Sequence, residues 1–179
     1  NTPFHFLAGK SKEDRIDFKN LHMIATMNAT KTIVITGGTG LTGRRLTKLA
    51  LDRGYRVIVL TQQTSLPTPF HPNLRYAPWH VKNQTISEEA ILEADIIIHL
   101  AGAGVADKRW STTYKKEIAD SRIMGGALLT KTLQRLPHHV KTFISASAIG
   151  WYGSDKPGQS PFTENNDPAS DFLGQTCAL

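Results

Sequence analysis

Short runs of β-branched and aliphatic residues alternate along this chain with stretches whose apolar positions recur three to four residues apart. Thr32-Ile33-Val34-Ile35-Thr36 is the first such run, and the glycine cluster after it bounds a strand of the kind buried on both faces of a parallel sheet. Beyond the glycines, Leu41, Leu46, Leu49 and Ala50 recur at helical spacing until Gly54 stops the helix. Tyr55 to Leu60 forms the next strand, which completes strand, helix and strand in about 30 residues, the size of a βαβ unit. Pro67, Pro69, Pro72 and Pro78 mark a loop-rich stretch with at most a short strand near Leu74 to Ala77.

A weak helix near Ser87 to Glu93 precedes Asp95-Ile96-Ile97-Ile98-His99-Leu100, a second buried-strand signature, followed by Ala101-Gly102-Ala103-Gly104. A long helical region runs from about Thr112 to Arg135, open to interruption at Gly125-Gly126 and ended by Pro137. Thr142 to Ser147 is the last clear strand, and loop follows until a helix begins near Asp171. Residues 1–30 show no clean period and read as an N-terminal extension that need not be ordered, ahead of a single domain over residues 31–179.

This alternation predicts an α/β fold, a Rossmann-type doubly wound parallel sheet covered on both faces. Ligands of such sheets bind at the carboxyl ends of the strands. The candidate positions there are the glycine turn, Thr61 and Gln62, Ala101 to Gly104, and Ser147 to Gly153.

Composition narrows the function class. With 179 residues and 40% apolar content the chain can bury a core without staples, and its single cysteine, Cys177, excludes an internal disulfide framework or a cysteine-based zinc site. No histidine cluster supports a metal, so none is expected. No apolar run approaches the ~20 residues that span a bilayer, and Glu13, Asp14 and Asp17 argue against an acid-poor transit peptide. No membrane association and a cytoplasmic location are the default expectations. The net charge of +6 is scattered rather than gathered into a patch, which argues against a nucleic-acid partner but favours the approach of a phosphate-bearing small molecule.

Thr36-Gly37-Gly38-Thr39-Gly40-Leu41-Thr42-Gly43 carries the strongest chemical signal. Gly37 permits a tight turn, Gly40 lets backbone approach a pyrophosphate, and Gly43 lets the helix lie close to the sheet. The free N–H groups and positive end of the helix then favour phosphates. A dinucleotide site is expected from this turn because it follows a strand and opens a helix.

The Gly-x-x-Gly-x-x-Gly spacing after a threonine resembles that of the extended short-chain dehydrogenase/reductases. The resemblance continues in His99-Leu100-Ala101-Gly102-Ala103, in Ala106-Asp107-Lys108-Arg109-Trp110, in Asp120-Ser121-Arg122, and in Phe143-Ile144-Ser145-Ala146-Ser147-Ala148-Ile149-Gly150-Trp151-Tyr152-Gly153. Together these motifs are similar to the atypical, NAD(P)-dependent epimerase/dehydratase-like (nucleotide-sugar-epimerase-like) group, over about Lys31 to Cys177. Members of that group continue well beyond this length, so the resemblance implies a C-terminally truncated Rossmann domain that lacks most of its substrate lobe. It also leaves a homodimer open.

The residues expected to hold the dinucleotide are Gly37, Gly40, Leu41, Thr42 and Gly43 at the turn, Thr61 and Gln62 after the second strand, and Leu100, Ala101 and Gly102 further on. No acid lies between Tyr55 and Thr64 to bind an NAD ribose, so nothing there repels a 2′-phosphate. NADP is therefore the expected cofactor, with NAD open. Arg44 or Arg45 can supply the missing cation, although both also read as ordinary exposed helix arginines.

By the same resemblance Ser147 is the catalytic serine, with Ser145 as the alternative, placing the hydroxyl or carbonyl of a small-molecule substrate beside the nicotinamide. The usual Tyr-x-x-x-Lys pair, in which lysine lowers the tyrosine pKa for acid–base work, is not visible. Leu173 falls at the tyrosine position and Cys177 at the lysine position. Tyr152 is the nearest other phenol and is the second catalytic candidate, although packing also accounts for it. Arg109 can clamp an anion, or its neighbourhood can simply start the next helix. His99 reads as a structural histidine at a strand end.

Overall fold

The computed structural model describes residues 30–155, 157–158 and 160–179. The expected extension therefore lies outside the described residues, apart from Thr30. Among the described residues six strands form one sheet: β1 (Thr32–Thr36), β2 (Arg56–Thr61), β3 (Leu74–His80), β4 (Thr85–Ile86), β5 (Ile96–His99) and β6 (Thr142–Ser145). Their order is β4-β3-β2-β1-β5-β6, with every pairing parallel except that of β3 and β4. The expected Rossmann-type sheet is present. No helix among the described residues is long and apolar enough to cross a membrane.

The period-2 geometry of the strands sorts their side chains onto two faces. Ile33, Ile35, Val57, Val59 and Leu74 pack with Ala50 and Leu51 of helix α1 (Leu41–Asp52) on one face. On the other, Val34, Ile58, Leu60, Trp79 and Ile97 pack with Ala90 and Ile91 of α2 (Glu88–Leu92) and with Leu128 and Leu129 of α3 (Thr112–Arg135). All five residues of β1 are buried, which explains why the run reads as continuously apolar.

Three expectations are corrected, and one strand was not foreseen. The proline-rich stretch yields a seven-residue β3 rather than a short strand, because Pro78 takes the last register position with β2, where a missing N–H costs least. Its antiparallel neighbour β4 has two residues, too few to leave a pattern. Helix α3 passes through Gly125-Gly126 unbroken. Gly125 is buried against the sheet, where an added Cβ would lie 3.2 Å from His99 Cε1. Finally, β6 ends at Ser145 rather than Ser147 and all four of its residues are exposed, so this strand is not covered as the other parallel strands are.

Candidate dinucleotide site

A cavity of about 980 Å³ opens at the carboxyl ends of β1, β2, β3 and β5. Its walls come from Gly37, Thr39 and Gly40 of the turn, from Leu60 to Gln63 after β2, from Trp79, Val81 and Lys82 around the end of β3, and from Leu100 to Ala103 after β5. One stripe of α3 closes it, with Thr113, Lys116, Glu117, Asp120, Ser121 and Met124 recurring at helical spacing.

The turn is shaped by contact. Gly37 has φ +69°, a conformation costly for other residues, and a Cβ there would sit 2.9 Å from Ala101 N. A Cβ on Gly43 would lie 2.1 Å from Gly37 O, so this glycine lets α1 close onto the turn itself rather than onto the sheet. Gly38, to which the sequence assigned no role, packs on β2, where a Cβ would meet Val59 at 2.7 Å.

Helix N-termini separate this site from the rest of the molecule. Ser87 caps α2, Ser111 caps α3, and Asp171 caps α4 (Phe172–Ala178), each accepting a backbone N–H. At α1 the cap is Gly40, with no side-chain bond and no acidic residue in the first turn. The first backbone bond of the helix is Arg44 N to Gly40 O at 2.9 Å, so the N–H groups of Leu41, Thr42 and Gly43 have no acceptor within the helix. Three free donors at the positive end of a helix suit a phosphate group.

Behind the cavity, parallel register sets Thr36 beside His99. Thr36 Oγ1 and His99 Nδ1 are 2.7 Å apart, and the same oxygen accepts Leu100 N and Ala101 N at 3.2 Å each. His99 is buried, with Trp79 edge-on at 6.2 Å. Burial first, and the nearby Arg122 cation second, hold its pKa below the ordinary 6.5, so the ring is neutral. Its Nδ1 is paired with Thr36 at the strand end.

Of the residues expected to hold a dinucleotide, Gly37, Gly40, Thr61, Gln62, Leu100, Ala101 and Gly102 line this one cavity. Leu41, Thr42 and Gly43 do not, and the Leu41 side chain is 85% exposed. Ser147 and Tyr152 also lie outside these walls. Ser147 is exposed two residues past β6, and Tyr152 stacks on Phe162 with ring centroids 4.9 Å apart. Helix α4 packs over the segment between them: a Cβ on Gly150 would meet Leu173 Cβ at 2.9 Å, and Cys177 Sγ lies 3.9 Å from Ala148 O. Trp110 packs edge-on against Phe172, while Arg109 is exposed and outside the cavity.

Sequence reasoning missed the α3 stripe and the Trp79–Lys82 segment. The i, i+3/i+4 recurrence from Thr113 to Met124 was legible as a helical face, but nothing local showed that the face looks into a cavity. Among the described residues, no group of three or more His, Cys, Asp or Glu is arranged to hold a metal ion.

Comparison with known proteins follows the same outline. The profile of the NAD dependent epimerase/dehydratase family matches residues 33–173. The epimerase family protein SSP1921 of Staphylococcus saprophyticus is 37% identical over 125 residues, 70% of this chain and 40% of that protein. The chain spans less than half the length of the curated relatives it matches. Among solved structures, the nucleoside-diphosphate sugar epimerase from Corynebacterium glutamicum superposes with TM-score 0.65 at 30% identity, covering 90% of this chain and 32% of the other. The human epimerase family protein SDR39U1, solved with NADPH, gives TM-score 0.64 at 23% identity, covering 82% and 46%.

Proposed function

The chain belongs to the NAD dependent epimerase/dehydratase family, and from that premise we propose that it binds NADP, with NAD as the alternative, in the cavity beside the glycine turn. The proposal extends to an oxidoreductase or epimerase reaction on a small hydroxyl-bearing substrate, in its finer form a nucleotide-linked one. One observation carries the binding reading: α1 alone among the four described α-helices starts without a side-chain cap, and its cap residue Gly40 lines the cavity shared with Leu100 to Ala103. The preference for NADP rests on the end of β2, where Gln62 and Gln63 meet the cavity and no carboxylate does.

When bound, the dinucleotide supplies hydride transfer. The chain's own residues bind and orient it: free N–H groups of α1 for the pyrophosphate, Thr61 to Gln63 for the ribose side, and the Leu100–Ala103 wall beyond. Ser147 is proposed to place a substrate hydroxyl, with Tyr152 as the second candidate.

A second reading, a dinucleotide-binding module without catalysis, is favoured by one feature. Leu173 and Cys177 take up the face of α4 turned to Ala148–Gly150, where the family resemblance puts a phenol and an ammonium group. Fluorescence titration with NADPH and NADH followed by a turnover screen separates the two. Saturable binding with hydride transfer that Ser147→Ala abolishes supports the enzyme; binding without transfer supports the module; binding of neither dinucleotide ends both.

A further inference from the structure

The wall from Leu100 to Gly104 is held from two sides. From β1, Thr36 Oγ1 accepts Leu100 N and Ala101 N. A hydroxyl has one proton and two lone pairs, so when both lone pairs accept amides the remaining proton suits His99 Nδ1 as acceptor, which corresponds to the tautomer with the ring proton on Nε2. From α3, Ser121 Oγ accepts Ala103 N at 2.9 Å and donates to Ile118 O at 2.9 Å. Arg122 Nη1 donates to Ala103 O at 3.0 Å and to Ile118 O at 2.9 Å. The guanidinium lies so close to Gly102 that a Cβ there would sit 3.0 Å from Arg122 Cζ. Among the described residues Arg122 has no carboxylate partner within ion-pair distance. Its charge is held by carbonyl dipoles, next to a cavity expected to take an anion.

We propose that Arg122 is a positioning residue for dinucleotide binding, fixing the Gly102–Ala103 backbone from α3 while the Thr36–His99 pair fixes Leu100–Ala101 from β1. The proposal rests on the dinucleotide reading above. Arg122 couples the two halves through charge, because its cation disfavours a second proton on His99. The neighbours of that ring carry no charge of their own: Thr36 comes from β1, Trp79 from β3, Gly125 from α3, and Ser145 is its register partner on β6. A proton on Nδ1 would claim one lone pair of Thr36 Oγ1; Leu100 N–H keeps a bond to Thr36 O at 3.2 Å and Ala101 N–H keeps the second lone pair, so neither amide is stranded. The amide that reports on Arg122 is Ala103, whose N–H and carbonyl are both held from α3.

The test uses the full chain with Arg122→Gln and Arg122→Lys. NMR follows the His99 ring nitrogens and the hydrogen exchange of the Ala103 amide from pH 5 to 8 without cofactor, and NADPH and NADH are then titrated. The expected result is an Ala103 amide protected in the natural chain. In Arg122→Gln the His99 midpoint moves up, Ala103 exchanges faster, and dinucleotide affinity drops about tenfold or more through lost charge-assisted bonds; Arg122→Lys keeps the low midpoint. An Arg122→Gln chain that is folded and binds with unchanged affinity overturns the proposal. Should that variant not fold, Arg122 guanidinium protons that exchange in the natural chain as fast as those of an exposed arginine overturn it as well. Failure of the natural chain to bind either dinucleotide is a different result: it overturns the functional reading, and this inference with it.

Discussion

Two regions meet the carboxyl edge of this sheet and are built on opposite terms. At the β1 end, backbone is brought so close to backbone that only glycine fits at Gly37 and Gly43, a helix is left uncapped, and a cavity forms in front. At the β6 end, the strand is exposed, helix α4 is capped by Asp171, and the positions facing the Ala148–Gly150 segment are Leu173 and Cys177. Polar groups left free beside a cavity mark a place prepared for a ligand, since burying them unpaired would cost stability. Satisfied, closely packed groups mark structure. The first region has the character of a binding site; the second holds its candidate residues without gathering them.

The largest expected effect comes from closing the turn. Gly43→Ala would set a methyl 2.1 Å from a carbonyl oxygen, an overlap relieved only by moving α1 away from the turn. Overpacking costs ~1–3 kcal/mol or more, so a clear fall in the denaturant midpoint and loss of dinucleotide affinity are expected together. Thr36→Val comes next. It keeps the shape but strands Ala101 N–H and His99 Nδ1, at ~2–4 kcal/mol, while Thr36→Ser recovers most of that; chemical denaturation measures both.

A pH dependence follows from His99. Its folded pKa is depressed by burial and by Arg122, so below about pH 6.5 the unfolded chain takes up a proton that the native ring refuses. Above the ordinary value the group contributes no slope. Below it, stability falls by up to about 1.4 kcal/mol per pH unit until the lower folded value is passed. Denaturation at pH 5.0 and 7.5 should show this as an extra loss in the natural chain relative to His99→Gln. The smallest effect belongs to Leu41→Ala: a side chain 85% exposed should change the midpoint by less than ~0.5 kcal/mol and leave dinucleotide affinity within about twofold.

The contrast also explains what the sequence made legible. β1 and β2 are buried on both faces and β5 is buried on one and half-buried on the other, so their residues read as continuous apolar runs, and the glycines between β1 and α1 follow from sterics that act within a few residues. β3 was obscured because its proline, Pro78, is tolerated by position rather than by type. The cavity stripe of α3 and the hydrogen bonds of Arg122 are tertiary: Thr113 to Met124 acquire a role only when β5 delivers Leu100–Gly104 opposite them. Leu41 was misleading for a related reason, since helical spacing identifies a face but not what covers it.

The central claim is that the capless start of α1 and the loop after β5 together hold a dinucleotide. Backbone amide NMR of the full chain during NADPH titration tests it most directly. Saturable shifts at Gly40 to Gly43, Gln62, Gln63 and Leu100 to Ala103 are the predicted result. An absence of shifts at saturating NADPH, or shifts confined to the Pro69–Leu74 loop, would contradict it.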